Sequence, residues 1–242
     1  MTISLVVPAY NEAGGLRATL ASIRRAAAAF DARGWAYELI VCDNNSTDGT
    51  GDIARAAGAR VVFEPVNQIA RARNTGAAQA TGAWLIFVDA DSHPSPELFA
   101  DAADAIASAR FVAGGATVAL DSGSPFARRV VGVWNAISRL ARVAAGSFIF
   151  CEARAFHEVG GFSLELYATE ELELFKRLKR SARRSGRAIV ILHQHPLVTS
   201  DRKARLYSKS EMATSFLKSL LTLGRTVRNR DDCYVWYDGR RE

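Results

Sequence analysis

Asp89 and Asp91 are the residues of this sequence best suited to chemistry, because they follow the apolar run 85–88 and stand one residue apart. Carboxylate oxygens are hard ligands that suit Mg²⁺ or Mn²⁺, so the pair could hold a divalent cation beside a diphosphate. Acids that follow a strand also cap turns and helices through bonds to backbone N–H groups. Taken alone, the pair leaves both interpretations open.

Polar segments also follow two earlier apolar runs. The segment Pro8-Ala9-Tyr10-Asn11-Glu12 comes after residues 3–7, where the proline is predicted to end a buried strand. Residues 43–50, rich in turn formers and helix caps, come after the apolar run 37–42. In open α/β sheets, ligands bind outside the carboxyl ends of the strands. The arrangement therefore favours a nucleotide-sized site at that edge.

Four segments, in this order, resemble the motifs of glycosyltransferase family 2. They are Pro8-Ala9-Tyr10-Asn11-Glu12, residues 43–50, Arg73-Asn74-Thr75-Gly76 and Asp89-Ala90-Asp91, followed by Gly160-Gly161-Phe162 and an acidic cluster. The resemblance covers roughly the first three quarters of the chain. It implies the GT-A fold, a single Rossmann-like α/β domain with a mostly parallel central sheet flanked by helices. Residues 1–115 would bind nucleotide, 116–200 would present the acceptor, and 201–242 would form a basic helix and tail.

The resemblance also implies an inverting enzyme that moves a sugar from a UDP- or GDP-linked donor to an acceptor hydroxyl, with Mg²⁺ or Mn²⁺. Asp91 is expected to bind the metal, Asp89 to contact the metal or the ribose, and Asp43 to accept a hydrogen bond from the nucleobase. The residues expected to line the nucleobase pocket are Pro8, Ala9, Tyr10 and Glu12. Arg73 and Arg71 are expected to face phosphate, with surface cations on a helix as the alternative.

The catalytic base is expected in the acidic segment that follows Gly160-Gly161-Phe162. The family carries an acidic pair there, usually Glu-Asp, whose second member is the base, and this maps the role onto Glu171 with Glu170 as the second candidate. Glutamate is one methylene longer than the usual aspartate. The alternative is that acids in the first turn complement the helix dipole. A base without a second nucleophile predicts direct displacement with inversion.

The segments that must position these residues alternate between helix and strand patterns. Helices are predicted at 16–30, 69–80 and 96–109, and strands at 37–42, 60–64, 84–88, 110–120 and 188–192. Such alternation predicts a parallel sheet with covering helices. With 242 residues, 49% of them hydrophobic, the chain suits one large α/β domain.

The net charge of +6 comes largely from two basic runs, 176–187 and 202–230. The second run contains Phe216, Leu217, Leu220, Leu221 and Leu223, an amphipathic pattern that could pack on the core or lie on an anionic membrane. The membrane alternative would make a lipid-linked acceptor plausible. A nucleic-acid-binding module is a rival explanation of the basicity, but no known reader motif is present and the acidic crevice stays unexplained.

No apolar run is long enough to span a membrane, and no basic leader precedes the first strand. We therefore expect a cytoplasmic protein. Peripheral contact with the membrane surface is the alternative. Cys42, Cys151 and Cys233 lack metal-ligand spacing and are predicted to be reduced thiols. His193 and His195 could bind metal or be satisfied polar groups.

Three further alternatives concern the late loop and the activity. Arg202 or Lys203 could close over the diphosphate, or the same stretch could be a capped helix start. A sugar nucleotidyltransferase would carry a Gly-rich phosphate loop after the first strand, which this chain lacks. A catalytically inactive nucleotide-sugar binder would share every motif above, and only activity distinguishes it.

Overall fold

The computed structural model describes residues 1–122, 124–200 and 225–233, and this part of the chain forms one eight-stranded sheet with helices on both faces. The strands are β1 Thr2–Ala9, β2 Ala36–Asp43, β3 Arg60–Phe63, β4 Trp84–Val88, β5 Ser92–His93, β6 Phe111–Leu120, β7 Phe148–Glu152 and β8 Ala188–Thr199. The α-helices are α1 Leu16–Asp31, α2 Thr50–Ala56, α3 Ile69–Ala78, α4 Pro96–Ala107, α5 Pro125–Ala141, α6 Ala153–Glu158 and α7 Glu170–Arg184. Two short 3₁₀ helices follow at Arg225–Arg228 and Asp231–Cys233.

The sheet has the order β3-β2-β1-β4-β7-β6-β8-β5. The first four strands in this order are parallel, which brings their carboxyl ends to one edge. Strand β7 runs antiparallel between β4 and β6, and β5 pairs antiparallel with β8. Because β7 reverses direction between them, β6 runs the same way as β4 and ends at the same edge. The predicted fold class, a mostly parallel α/β sheet flanked by helices, is confirmed.

The alternation of apolar residues in β1 shows how the two layers of helices are held. Leu5 and Val7 point into a core shared with α1 and α4, whereas Val6 points into a second core shared with α3 and α7. A strand that is apolar on both faces is the expected pattern for a parallel sheet covered on both sides. This explains why the early strands read as continuous apolar runs.

Pro8 lies inside β1, so the prediction that it ends the strand is wrong. Ala9 turns its carbonyl to β2, where it accepts a hydrogen bond from the Asn44 backbone N–H at 2.8 Å. Backbone groups alternate sides along a strand, so those of Pro8 face β4, and the ladder with β4 ends earlier, at Val6 opposite Phe87. The missing N–H of proline therefore breaks no sheet hydrogen bond.

Several predicted features have outcomes elsewhere in the chain. Strand β8 continues to Thr199, well beyond the predicted end at 192, and α5, β5 and β7 were not predicted. Cys42, Cys151 and Cys233 are buried free thiols, as expected. Within the described ranges, no helix is both long and apolar enough to cross a membrane. The predictions for Arg202, Lys203 and the apolar residues between 216 and 223 lie outside the described residues, and the division into two halves stays a prediction.

Candidate active site

The loops that follow β1 and β2 are joined by hydrogen bonds at the carboxyl edge of the sheet. The Asn11 backbone N–H donates to Ser46 Oγ at 3.0 Å, and Asn11 Oδ1 accepts from the Thr47 backbone N–H at 2.8 Å. The Glu12 backbone N–H donates to Thr50 Oγ1 at 2.8 Å. Asn11 has a φ of 51°, a left-handed conformation that asparagine tolerates better than most residues. The two motif segments therefore form one structural unit.

The residues predicted to bind nucleotide lie around this unit. Asp43 is the last residue of β2 and stands opposite Ala9 in the register of β1 and β2. Its Oδ1 accepts a hydrogen bond from the Ser46 backbone N–H at 3.0 Å. Pro8 and Ala9 are buried in β1, Tyr10 is half-buried in the loop beyond, and Glu12 is buried. The structure brings the five residues together at the carboxyl edge of β1 and β2.

Asn44 organises the entry to α3, a role that sequence reasoning missed. Its Nδ2 donates to the carbonyl oxygens of Glu64 and Val66 at 3.2 and 2.7 Å, and its Oδ1 accepts from the Gln68 backbone N–H at 2.9 Å. A buried amide that satisfies three backbone groups fixes a loop firmly. Asn44 thus connects the end of β2 to the loop between β3 and α3.

Arg73 lies at the centre of a buried ionic network. Its Nη1 donates to Glu170 Oε1 at 2.6 Å, and its Nη2 donates to Asp89 Oδ1 at 2.9 Å and to the Gly146 carbonyl at 3.0 Å. The guanidinium carbon stands 5.1 Å from the centre of the Phe162 ring, within cation–π range. One side chain on α3 thereby joins the end of β4 to the start of α7.

The electrostatics of Arg73 follow from its environment, in which only 1% of the side chain is exposed. Burial by itself lowers the pKa of Arg73, but the carboxylates of Asp89 and Glu170 outweigh this and raise the pKa of the guanidinium above its ordinary value. Its Nε finds no hydrogen-bond partner among the described residues. A buried cation compensated by two acids holds both acids in fixed positions.

The structure places Arg73 differently from the predicted phosphate-facing position. Both of its terminal nitrogens are engaged by Asp89, Glu170 and Gly146, and almost none of the side chain reaches solvent. Sequence alone could not reveal this, because Glu170 is far away along the chain. Arg71 is half-buried, and its Nε donates to Gln68 Oε1 at 3.1 Å.

The rest of the motif after Arg73 consists of Asn74, Thr75 and Gly76, and each of these residues has a structural role. Asn74 donates to the Phe162 carbonyl at 2.8 Å and accepts from the Phe162 backbone N–H at 2.9 Å. Thr75 Oγ1 donates to Glu64 Oε2 at 2.7 Å. A Cβ on Gly76 would stand 2.5 Å from Val6 Cγ1, so only glycine lets α3 lie this close to β1.

Gly161, in the loop before the acidic segment, occupies a position that only glycine can fill. Its φ is +67°, and a Cβ there would stand 2.7 Å from Asn74 Oδ1. Both the left-handed conformation and the close approach of the Asn74 amide require glycine. The loop that leads to α7 is thus fixed against α3, the helix that carries Arg73.

Glu170 and Glu171 begin α7 but have different environments. Glu170 is buried and paired with Arg73, whereas Glu171 is half-buried. Burial, followed by the charge of Glu170, raises the pKa of Glu171 to about 8, even though Arg73 acts in the opposite direction. Among the described residues, no side chain donates a hydrogen bond to the Glu171 carboxylate. The third acid, Glu173, pairs with Arg177 on the surface of the helix.

A short stretch of chain beyond residue 224 contacts the loop before α7. The Tyr167 backbone N–H donates to the Val227 carbonyl at 2.7 Å, and Arg228 Nη1 stands 3.4 Å from Glu165 Oε2. Burial, followed by the charges of Asp232 and Glu170, raises the pKa of the Cys233 thiol. Residues 225–233 therefore help to fix the acidic segment.

Asp89 and Asp91 are the oxygen donors that suit a divalent cation. Asp89 keeps one carboxylate oxygen beyond the one that Arg73 engages, and the half-buried Asp91 contacts Ser92 Oγ at 3.4 Å. The Ser200 backbone N–H donates to the Asp91 carbonyl at 3.1 Å and fixes the turn. No group of three or more acid, histidine or cysteine ligands occurs in the described ranges. The two acids fit Mg²⁺ or Mn²⁺ if substrate phosphates and water supply the remaining ligands.

His195 pairs with an acid on a helix. Its Nδ1 lies 3.0 Å from Asp101 Oδ2 on α4. His193 is exposed, in the stretch where the pairing of β6 with β8 is interrupted between Leu192 and Leu197. His195 is therefore a polar group with a hydrogen-bond partner, which is the alternative to metal binding given above. Among the described residues, neither histidine belongs to a group of three or more potential metal ligands.

Comparison with known protein families identifies one matching domain. The model described as "Glycosyl transferase family 2" matches residues 4–155, which include the motifs from Pro8 to Asp91, β1 from its third residue, and the whole of β2 to β7. The match covers more than half of the chain. Glu170 and Glu171 lie beyond its end.

Curated relatives match a shorter region. Glycosyltransferase AglE of Haloferax volcanii is 35% identical over 98 residues, which are 38% of this chain and 31% of that protein. Validoxylamine A glucosyltransferase of Streptomyces hygroscopicus subsp. jinggangensis is 34% identical over 101 residues, or 39% of this chain and 23% of that protein. The matched region therefore spans a third or less of these relatives' length.

Solved structures share the fold over most of the chain. The mannosyltransferase PcManGT from Pyrobaculum calidifontis, in complex with GDP-Man and Mn²⁺, superposes with a TM-score of 0.68 at 19% identity, covering 93% of this chain and 62% of that one. Residues 1–349 of S. aureus TarS in complex with UDP-GlcNAc give a TM-score of 0.63 at 20% identity, covering 97% and 69%. Glucosyl-3-phosphoglycerate synthase from Mycobacterium tuberculosis, with Mn²⁺ and UDP, gives 0.58 at 22% identity, covering 91% and 79%.

Proposed function

Since the chain belongs to glycosyl transferase family 2, we propose that it moves a sugar from a UDP- or GDP-linked donor to an acceptor hydroxyl, with a divalent cation and inversion at the anomeric carbon. The structural neighbours that bind GDP-Man, UDP or UDP-GlcNAc support a nucleotide-sugar donor. We also propose that residues 1–115 bind the donor and 116–200 present the acceptor. The Mn²⁺ ions bound in several of these neighbours support a metal.

The observation that carries the proposal is the bridge that Arg73 makes between Asp89 and Glu170. Asp89 belongs to the acid pair at the end of β4, and Glu170 precedes the proposed base. A transfer reaction needs the donor and the base on a fixed line, since misplacement by about 1 Å can lower the rate by about a hundredfold. A buried guanidinium that contacts both sides supplies such a connection.

Glu171 is the proposed base. The acceptor oxygen attacks the anomeric carbon, the bond from that carbon to the diphosphate oxygen breaks with its electron pair, and the Glu171 carboxylate takes the hydroxyl proton. Two features support Glu171 over Glu170. The Glu170 carboxylate is buried and bound to Arg73, whereas Glu171 is partly exposed and its pKa, raised to about 8, suits proton transfer near neutral pH.

Asp91 and Asp89 would hold the metal, and a bound divalent cation would neutralise charge on the departing diphosphate. The carboxylate oxygens of Asp91 and the Asp89 oxygen that Arg73 does not engage are the donors proposed for this role. Asp43 would accept a hydrogen bond from the imide N–H of uracil or the amide and amine of guanine. Its place beside Ala9, below the joined loops, supports this role.

The test is a donor panel followed by a matched set of glutamine variants. UDP-, GDP- and dTDP-sugars are screened by thermal shift and by slow hydrolysis, with and without Mn²⁺, because a ligand of the folded state raises the melting temperature. Glu171→Gln should retain donor binding and lose transfer by about two to four orders of magnitude. Glu173→Gln, two residues further along α7 and paired with Arg177, is the matched control and should retain transfer.

The outcomes separate the candidate mechanisms. Near-normal transfer by Glu171→Gln would overturn the assignment of the base. Loss of transfer in Glu170→Gln alone, with donor binding and fold intact, would shift the role to Glu170. Donor binding without hydrolysis or transfer in the unmodified protein would indicate a catalytically inactive nucleotide-sugar binder.

A further inference from the structure

Helix α5 carries an apolar stripe that faces solvent. The stripe consists of residues at alternating spacings of four and three, which places them on one side of the helix. They are Phe126, Val130, Val133, Ile137 and Leu140, with exposed fractions between 51% and 90%. Large apolar side chains exposed in one continuous row are unusual on a soluble surface and mark an interaction site.

The stripe is separate from the face that attaches α5 to the rest of the molecule. Trp134 and Val131 pack against the core, and Asn135 binds both backbone groups of Val118 on β6, at 3.0 and 2.9 Å. Ser138 is buried and donates to the Val143 carbonyl at 2.6 Å. The helix is therefore anchored through a different face, and in the part of the chain that the structure describes Val130, Val133, Ile137 and Leu140 belong to neither hydrophobic core.

A basic cleft adjoins the end of the stripe. Beside Leu140 there is a cavity of about 270 Å³ lined by Arg142, Lys179, Arg183 and Arg187, which we call the basic cleft. Arg187 pairs with Glu152, but among the described residues neither Arg142 nor Arg183 forms an ion pair. Burial and the neighbouring charges of Arg183 and Arg142 lower the pKa of Lys179. Cations crowded without matching carboxylates favour an anionic ligand.

We propose that the stripe and the basic cleft together form a docking surface for an anionic lipid bilayer. The stripe would enter the boundary between headgroups and acyl chains, and the basic cleft would receive a lipid phosphate. The inference stands without the proposed transfer activity. Helix α5 begins just after β6, and the end of β6 pairs with Thr199, which also pairs with Ser92 next to Asp91. The docking surface would therefore start near the proposed metal site. If the proposed activity also holds, this position favours a lipid-linked acceptor.

Charge favours a bilayer over a second copy of the chain. Helix α5 contains Arg128, Arg129 and Arg139 and no acidic residue. A twofold contact through the stripe would bring the same cationic helix from each copy together, with no carboxylate on either helix to pair with them. An anionic bilayer supplies both an apolar layer and phosphates.

The experiment is cosedimentation of the full chain with vesicles of phosphatidylcholine alone and of phosphatidylcholine mixed with phosphatidylglycerol. We expect binding to the mixed vesicles only, weakened by added salt because screening shortens the range of exposed charges. Val133→Ser with Ile137→Ser should weaken binding about tenfold, and Arg142→Glu with Arg183→Glu should do the same. The matched controls are Phe63→Ser on β3, at the opposite edge of the sheet, and Arg25→Glu on α1, both exposed.

Every outcome supports or overturns the proposal. Equal binding to both kinds of vesicle, or none to either, overturns it, and the salt titration of the unmodified protein gives this answer without any variant. A stripe variant that changes the sedimenting mass in the absence of vesicles assigns the stripe to a second copy. Salt-sensitive binding of duplex DNA without vesicle binding assigns the basic cleft to nucleic acid.

Discussion

The two ends of α7 differ in whether their charged side chains have partners of opposite charge. At the start of the helix, Glu170 is buried and neutralised by Arg73, which Asp89 also engages. At the end, Arg183 and the nearby Arg142 are exposed beside Lys179 in the basic cleft without carboxylate partners in the described ranges. Compensated charge in the interior fixes geometry, whereas uncompensated charge on the surface is available for a ligand. One helix therefore serves the proposed reaction at one end and the proposed membrane contact at the other.

Removing the buried cation gives the largest expected effect on this contrast. Arg73→Ala should lower the free energy of unfolding by about 3–5 kcal/mol, because it leaves Glu170 buried without a counter-charge. Urea denaturation measures the change. The matched control is Arg71→Ala on the same helix, which loses one bond to Gln68 and should cost less than about 1 kcal/mol. Equal losses in the two variants would show that the network does not stabilise the fold.

A variant of Asp91, two residues after Asp89, tests the proposed metal site at the other end of the Arg73 network. Asp91→Ala should lower the affinity for UDP or GDP in the presence of Mn²⁺ by about a hundredfold or more and make it insensitive to chelator. Thermal shift or calorimetry measures both quantities. Equal nucleotide affinity with chelator and with Mn²⁺ in the unmodified protein would remove the metal assignment.

The pH dependence of transfer tests the environment of Glu171. The deprotonated carboxylate is the active form of a base, and its pKa is raised to about 8, so kcat/KM should fall about tenfold per pH unit below that value. The same profile for Glu171→Gln should be flat at a low level. A limb near the ordinary glutamate pKa in the unmodified enzyme would contradict the proposed environment.

The smallest expected effect is the pH dependence of stability that Glu171 causes. The folded state binds the Glu171 proton more tightly than the unfolded chain does, so stability present below the unfolded pKa is lost as pH rises through about 8. Glu171→Gln should therefore be more stable than the unmodified protein at pH 9 and similar at pH 4. Because solvent screens part of the charge of a half-buried group, we expect only about 1 kcal/mol. Denaturation at the two pH values measures it.

Local sequence signals sufficed to predict most elements of the first 120 residues, but they did not predict the ionic network around Arg73. Strand β4 was predicted with the bounds that the structure shows, and α1, α3, α4 and β6 differ by one or two residues at their ends. These elements have continuous apolar or helical patterns of their own. The environment of Arg73 was not predictable, because its burial depends on Glu170, which no local pattern relates to it.

Helix α5 and β7 escaped prediction for a different reason. The apolar residues of α5 include both a core-facing set and the solvent-facing stripe, so the apolar pattern does not show which side of a helix would pack on the sheet. Strand β7 is a short apolar run inserted in the centre of the sheet, and a run of that length does not distinguish a strand from a helix. The orientation of Glu171 relative to Glu170 likewise depends on packing rather than on sequence position.

The hydrogen bond from Tyr167 to Val227 has a consequence for the order in which the site is completed during synthesis. A ribosome makes the loops after β1 and β2 first, and they can close on one another as soon as both have emerged. The Tyr167 backbone N–H acquires its Val227 partner only after Val227 has been made. A nascent chain stalled before that point would hold the proposed nucleotide loops already joined, while the loop before the proposed base would still lack this hydrogen bond.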